Sequence, residues 1–207
     1  MTNNIEVEHR GLLTKEKFNS LRKLLEKEGK FIKEKDRFSV IYSPRGKETL
    51  RIHRSPIDLR LRITNKKSEL VLKHGKWSGS DARKEFSFPV DSAKFGEMIE
   101  FIKILGFYYG VLQATKTHVY MYKNIEFAIV QVPGFGYYFE AEILTEKKSI
   151  KSANIKIMLI LKELGLTVLN DKDFYKLLED LSNRPGFRFN LKKENFLDIK
   201  KRFIDYF

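Results

Sequence analysis

The chain has 207 residues, 42% hydrophobic and 13% aromatic, with 40 Lys and Arg against 27 Asp and Glu for a net charge of +13. That length suits one domain, or one domain with an appendage, and the apolar fraction excludes disorder for the bulk of the chain. The absence of Cys excludes disulfides, thiolate metal sites and Cys nucleophiles, and the four His (His9, His53, His74, His118) show neither HxxxH nor HExxH spacing.

Any metal must then be held mostly by carboxylates, which favours hard cations such as Mg²⁺ or Mn²⁺. The positive balance suits a polyanionic partner, and equally a lysine-rich solvated surface. No run approaches the ~18 uncharged apolar residues of a membrane span. The stretch from Met1 to Glu6 has neither the basic start nor the apolar core of a signal peptide, so a cytoplasmic protein with no membrane partner is expected.

In residues 5–10, Ile5, Val7 and His9 alternate with Glu6, Glu8 and Arg10, which predicts a strand. Thr14 can cap a helix carrying Phe18, Leu21, Leu24 and Leu25 at helical spacing, with Gly29 where it would end. Strands and turns follow to residue 63, where Ile57, Leu59, Leu61 and Ile63 alternate with Asp58, Arg60 and Arg62. Turns at 65–68 and 78–81 lead into strands at 69–74 and 83–90. A second helix is expected over 91–105, capped by Asp91, then strands at 115–122, 126–132 and 138–144. Helices are expected at 150–164 and 173–181, and the last ~20 residues read as a charged aromatic tail. The order predicts an α+β fold with a mainly antiparallel sheet. Residues 1–181 form one domain in this reading, with 182–207 packed on it as a tail.

The strands are unusual in how much charge they alternate. Glu6, Glu8 and Arg10; Arg60 and Arg62; Lys73; Arg83 and Glu85; Lys116 and His118; and Glu140 and Glu142 each occupy one face at period two. Antiparallel sheets commonly wet one such face. The same residues, converging, would suit a metal-bound polyphosphate, because bases grip phosphate oxygens and carboxylates hold the cation. Pattern alone leaves both readings open.

The segment Glu6-Val7-Glu8-His9-Arg10 resembles the ExExK signature of the CYTH superfamily, the triphosphate tunnel metalloenzymes that include class IV adenylate cyclases and thiamine triphosphatases. The family's later motifs are matched in order by Leu59-Arg60-Leu61-Arg62, Leu70-Val71-Leu72-Lys73, Arg83-Lys84-Glu85 and Lys116-Thr117-His118. Gly134-Phe135-Gly136 leading to Glu140-Ala141-Glu142 completes the set. With a closing segment at 164–178, the resemblance spans residues 5–181.

The resemblance implies a closed or cupped antiparallel barrel of about eight strands, helices outside, with Mg²⁺ or Mn²⁺ and a triphosphate inside. It implies Glu6, Glu8, Glu140 and Glu142 as metal ligands, and Glu85, Glu8 and Glu140 as the catalytic carboxylates. Arg10, Arg60, Arg62, Lys73, Arg83, Lys116 and His118 would bind phosphate. The expected activity is hydrolysis of inorganic tripolyphosphate, a nucleoside triphosphate or thiamine triphosphate. The alternatives are a non-catalytic binder of polyphosphate, nucleotide or a 5′-triphosphate RNA end, and a class IV adenylate cyclase. The cyclase ranks lower because five residues before Glu6 leave no room for the His-Phe pair of some bacterial cyclases. Three departures weigh on turnover: Val130 stands where the family usually has Asp, Ser87 replaces an acid of RxExE, and His118 replaces the Arg of KxR.

Overall fold

Nine strands and five α-helices form among residues 5–48, 55–75 and 84–207, which are the parts of the chain that the computed structural model describes. The strands are β1 (Ile5–Leu13), β2 (Lys30–Tyr42), β3 (Ile57–Thr64), β4 (Lys67–His74), β5 (Lys84–Val90), β6 (Tyr109–Tyr122), β7 (Ile125–Val132), β8 (Gly136–Thr145) and β9 (Arg188–Asn190). The helices are α1 (Lys15–Glu28), α2 (Phe95–Ile104), α3 (Ile150–Glu163), α4 (Asp171–Ser182) and α5 (Phe196–Arg202). Pairing follows the order β1-β8-β7-β6-β2-β3-β4-β5, with β9 added to β6. The registered pairs are antiparallel. Among the described residues no pairing joins β1 to β5, so hydrogen bonding leaves the sheet open; of the two expected forms, the closed one is not made.

Packing divides the chain into two units. Among the described residues, the first comprises 5–35 and 115–174, and the second comprises 36–48, 55–75, 84–114 and 175–207. In the first unit, one face of β1, β8, β7 and β6 presents Val7, Phe139, Ala141, Phe127, Ile129 and Tyr120 to α1 and α3. Those helices answer with Phe18, Leu21 and Leu25, and with Ala153, Ile157 and Leu161, at the three- and four-residue spacings that make one apolar stripe. Thr14 caps α1 by accepting a hydrogen bond from the Lys17 amide. Gly29 ends it with extended backbone, φ −98°. Glycine is needed there for space, since a Cβ would meet the Leu25 carbonyl oxygen at 2.7 Å.

In the second unit the core joins Phe38, Val40, Leu61 and Ile63 of the sheet to Phe95, Ile99 and Ile102 of α2. The C-terminal segment completes that core. Phe189, Leu191 and Ile199 are buried in it, and the rings of Phe203, Tyr206 and Phe207 lie 4.8, 6.1 and 5.3 Å from that of Phe38. Asn195 and Asp198 form a reciprocal capping box that starts α5. Two hairpins turn on residues that both have positive φ, Asn65-Lys66 and Lys123-Asn124, as type I′ turns require. The expected strand start at Arg83 and the turn at 78–81 lie outside the described residues.

Gly11 shows how tightly the first unit is assembled. A Cβ there would meet the Thr167 carbonyl oxygen at 2.0 Å and the Phe139 ring at 2.5 Å. Gly11→Ala should therefore lower stability by about 1–3 kcal/mol, as overpacking does, measured by urea unfolding; unchanged stability would contradict this packing.

Candidate functional site

In the first unit the face opposite the helices carries the charge. Register places Glu8 directly across from Glu142, and Arg10 across from Glu140. On the other side of β8, Glu126 lies across from Glu142 and Ala128 across from Glu140. Three carboxylates, Glu8, Glu142 and Glu126, thus form a row across β1, β8 and β7, and Glu6 follows Glu8 on the same face of β1. Like charges directly opposite one another oppose folding, so this row destabilises the sheet unless a counter-charge offsets it. Burial raises the carboxyl of Glu142 to about 7, with added repulsion from Glu6, Glu126, Glu8 and Glu140. Burial and Glu8 likewise raise Glu140 to about 7, against the opposing pull of Arg10 and Lys35.

Arg10 moderates this field. Its Nε and Nη2 donate to Glu8 at 3.1 and 2.5 Å, and its guanidinium lies 4.4 Å from the ring centre of Phe174. The same register separates two other expected phosphate ligands from this face. Lys116 pairs with Gln131 and His118 with Ile129, so both point to the opposite side of the ladder from Glu140 and Glu142. Lys116 is exposed there. His118 lies 3.9 Å from Glu34, and burial followed by the charge of Arg22 lowers its pKa, leaving it neutral at pH 7. A neutral imidazole is a poor phosphate ligand.

The second unit carries the bases. Asp58, Arg60 and Arg62 share a face of β3 with Glu69 and Lys73 of β4, Glu85 and Ser87 of β5, and Arg37 of β2. The charges alternate and pair. Arg60 forks onto Asp58 at 2.8 and 2.6 Å; Arg62 reaches Glu69 at 2.7 Å and Glu85 at 3.4 Å; Lys73 holds Glu85 at 2.8 Å. Burial pushes Glu85 up, but the Lys73 hydrogen bond and the charges of Lys73, Arg62 and Arg60 outweigh it and hold the carboxyl below its ordinary value. Glu69 is lowered in the same way by Arg62 and Ser87 against its own burial. Arg83, an expected phosphate ligand, lies outside the described residues.

A model of the CYTH domain matches residues 4–175. The chain belongs to the CYTH family. A conserved hypothetical protein from Pyrococcus furiosus is similar at 25% identity and a TM-score of 0.61, over 79% of this chain and 94% of that one. A Pyrococcus horikoshii protein is similar at 22% identity and a TM-score of 0.63, over 85% and 98%. A candidate adenylyl cyclase from Hippeastrum, described as having a dominant triphosphatase activity, is similar at 19% and 0.53, over 84% and 95%. No curated protein matches the chain.

Within this CYTH domain the place of the family's Asp is filled by apolar packing. Val130 is 1% exposed and clusters with Val119, Ala128 and Tyr138 on the carboxylate-bearing face. The sequence reading missed Glu126, which sits four residues earlier on that same face of β7. It also missed the counter-ions Asp58 and Glu69. Period-two spacing puts Glu126 with Val130 and Asp58 with Arg60, so their faces could have been found, but not their partners. Among the described residues no three carboxylate or imidazole groups are arranged as a ready-made metal cage, and Glu8 is engaged by Arg10. The donor set fits a hard divalent cation in its chemistry, being carboxylate oxygens throughout.

The raised carboxyls set a pH dependence. A carboxyl raised on folding favours the folded state below its ordinary value of 4.5, and that contribution is lost as pH rises through about 7. The metal-free protein should therefore melt at lower temperature at about pH 8 than at about pH 5, and Glu142→Gln should shrink the difference. Calorimetric melting across that range checks this; a melting temperature that rises over it would contradict the described field.

Proposed function

We propose that this CYTH protein is a metal-dependent hydrolase of a small molecule bearing a triphosphate, with inorganic tripolyphosphate, a nucleoside triphosphate or thiamine triphosphate as the candidate substrates. The observation that carries this reading is the face of opposed glutamates on β1, β7 and β8, whose like charges call for a divalent cation. The basic face of β2, β3 and β4 supplies the second component, a set of guanidinium and ammonium groups able to exchange carboxylate partners for phosphate oxygens.

In this reading Glu6, Glu8, Glu140 and Glu142 hold Mg²⁺ or Mn²⁺, with Glu126 beside them. A divalent cation bound there supplies charge neutralisation on the phosphates and makes water a stronger acid. Glu140 and Glu142 carry raised carboxyls in the metal-free protein, and uptake of a cation would draw them into the ionised, ligating form, so that activation of water would come from the cation and from the carboxylates placed around it. Arg10, Arg60, Arg62 and Lys73 bind phosphate oxygens; Glu85, kept ionised by Lys73 and Arg62, orients rather than accepts protons. Phosphoryl transfer depends mainly on such positioning and electrostatics.

One observation favours a second reading. The apolar cluster at Val130 removes a carboxylate from the acidic face, which weakens turnover more than binding and suits a non-catalytic polyphosphate binder. Phosphate release from the three substrates with Mg²⁺ and with Mn²⁺ decides between them. The hydrolase reading predicts release from at least one, abolished by Glu142→Gln. Arg62→Ala should weaken tripolyphosphate binding by about 1.5–3 kcal/mol, the range for a lost charge-assisted hydrogen bond. Tight binding without release would establish the binder, and neither binding nor release would overturn both.

A further inference from the structure

Each unit leaves an apolar surface bare, and the two surfaces are bordered by opposite charge. In the second unit α5 lies so close on α2 that a Cβ at Gly96 would meet the Phe196 ring at 2.6 Å. Their junction forms a groove of about 570 Å³ lined by Phe101, Ile104, Phe196 and Leu197, with Glu97 and Glu100 beside them. Ile104 is 81% exposed, Leu197 63% and Phe101 54%, although Phe95, Ile99 and Ile102 on the other side of α2 are buried. In the first unit α3 buries Ala153, Ile157 and Leu161 but leaves Ile155 59% and Leu159 62% exposed, with Met158 between them. Lys151 lies one turn before Ile155 and Lys162 one turn after Met158 on the same outer stripe. Apolar area in contact with water offers stabilisation to whatever covers it. The three- and four-residue steps from Ile155 to Met158 and Leu159 are those by which a helix seats itself in an apolar groove.

We propose that the α3 stripe of one copy of this chain docks into the α2–α5 groove of another, with Lys151 and Lys162 set against Glu97 and Glu100. Charge selects this pairing over the two simpler ones. Groove against groove would bring the glutamates of two copies together, and stripe against stripe would do the same with the lysines, both of which repel. Glu100 pairs with Lys103 of its own helix at 3.1 Å, but an exposed pair of that kind exchanges partners at little cost. Both helices pack on the face of their own unit opposite the charged one, so the inference does not depend on the proposed function.

Sedimentation of the full chain over micromolar to millimolar concentration tests this, for the parent, a groove variant Phe101→Gln/Ile104→Gln and a stripe variant Ile155→Gln/Leu159→Gln. Glutamine keeps helix propensity while removing the apolar anchors, and all four positions are exposed, so the fold is retained. The parent should rise with concentration from the mass of one chain to that of two or more, in the weak range that a small contact gives. Each variant alone should stay at one chain. An equal mixture of the two should reach two chains and go no further, because one intact stripe then meets one intact groove. As a second arm that leaves the apolar anchors in place, Glu97→Lys/Glu100→Lys and Lys151→Glu/Lys162→Glu should each weaken association roughly tenfold, and mixing them should restore it. A parent that stays at one chain throughout would overturn the proposal. So would association of either glutamine variant alone to the parent's extent, a glutamine mixture that stays at one chain, or charge variants that associate like the parent.

Discussion

The candidate site depends on carboxylates being forced together by packing that lies on the other side of the sheet. Val7, Phe139, Ala141, Phe127 and Ile129 bury one face of β1, β8 and β7 under α1 and α3. That burial pins the register, because a slip of one residue would turn every apolar side chain toward water. With the register pinned, Glu8, Glu142 and Glu126 have no choice but to face one another. The hydrophobic core thus supplies the free energy that holds a repulsive row in place, and the raised carboxyls of Glu140 and Glu142 show its strain.

The basic face of the second unit solves the same problem differently. Arg60, Arg62 and Lys73 alternate with Asp58, Glu69 and Glu85 across β3, β4 and β5, so each cation has an anion at hand. This face is balanced in charge without a ligand. The first unit is less balanced at Glu142, on which Glu6, Glu126, Glu8 and Glu140 all act in the same direction. On the proposed function, the contrast would separate two chemical tasks, attraction of a divalent cation and recognition of phosphate oxygens, which are the components that triphosphate chemistry requires.

Much of this was legible in the residues. Alternation placed the strands and their charged faces, Thr14 caps α1 as its spacing predicts, Asp91 caps a short 3-10 turn at Ser92–Lys94 ahead of α2 rather than α2 itself, and six motifs in order carried the family resemblance. What period-two spacing could not supply was register across strands. It grouped Lys116 and His118 with the other bases, whereas pairing with Gln131 and Ile129 turns them to the helix-covered side. It also passed over Glu126, because β7 shows a single acid with no partner at period two; only the opposing Glu142 gives that residue its meaning. The sequence places the tail against the domain but not its partners, for a similar reason. Its aromatic residues have no strong periodicity, and their role in packing on Phe38 and Phe95 is set by long-range contact.

Glu140 and Glu142 carry raised carboxyls in a row of like charges, a state that uptake of a divalent cation would relieve. Titration calorimetry of Mn²⁺ into the full chain near neutral pH, repeated in two buffers of different ionisation enthalpy, tests it most directly. Carboxyls raised to about 7 must lose protons when they take up a cation, so proton release is expected on binding, fading well above neutrality and shrinking in Glu142→Gln. Mn²⁺ binding with no proton release at neutral pH, or no Mn²⁺ binding at all, would contradict it.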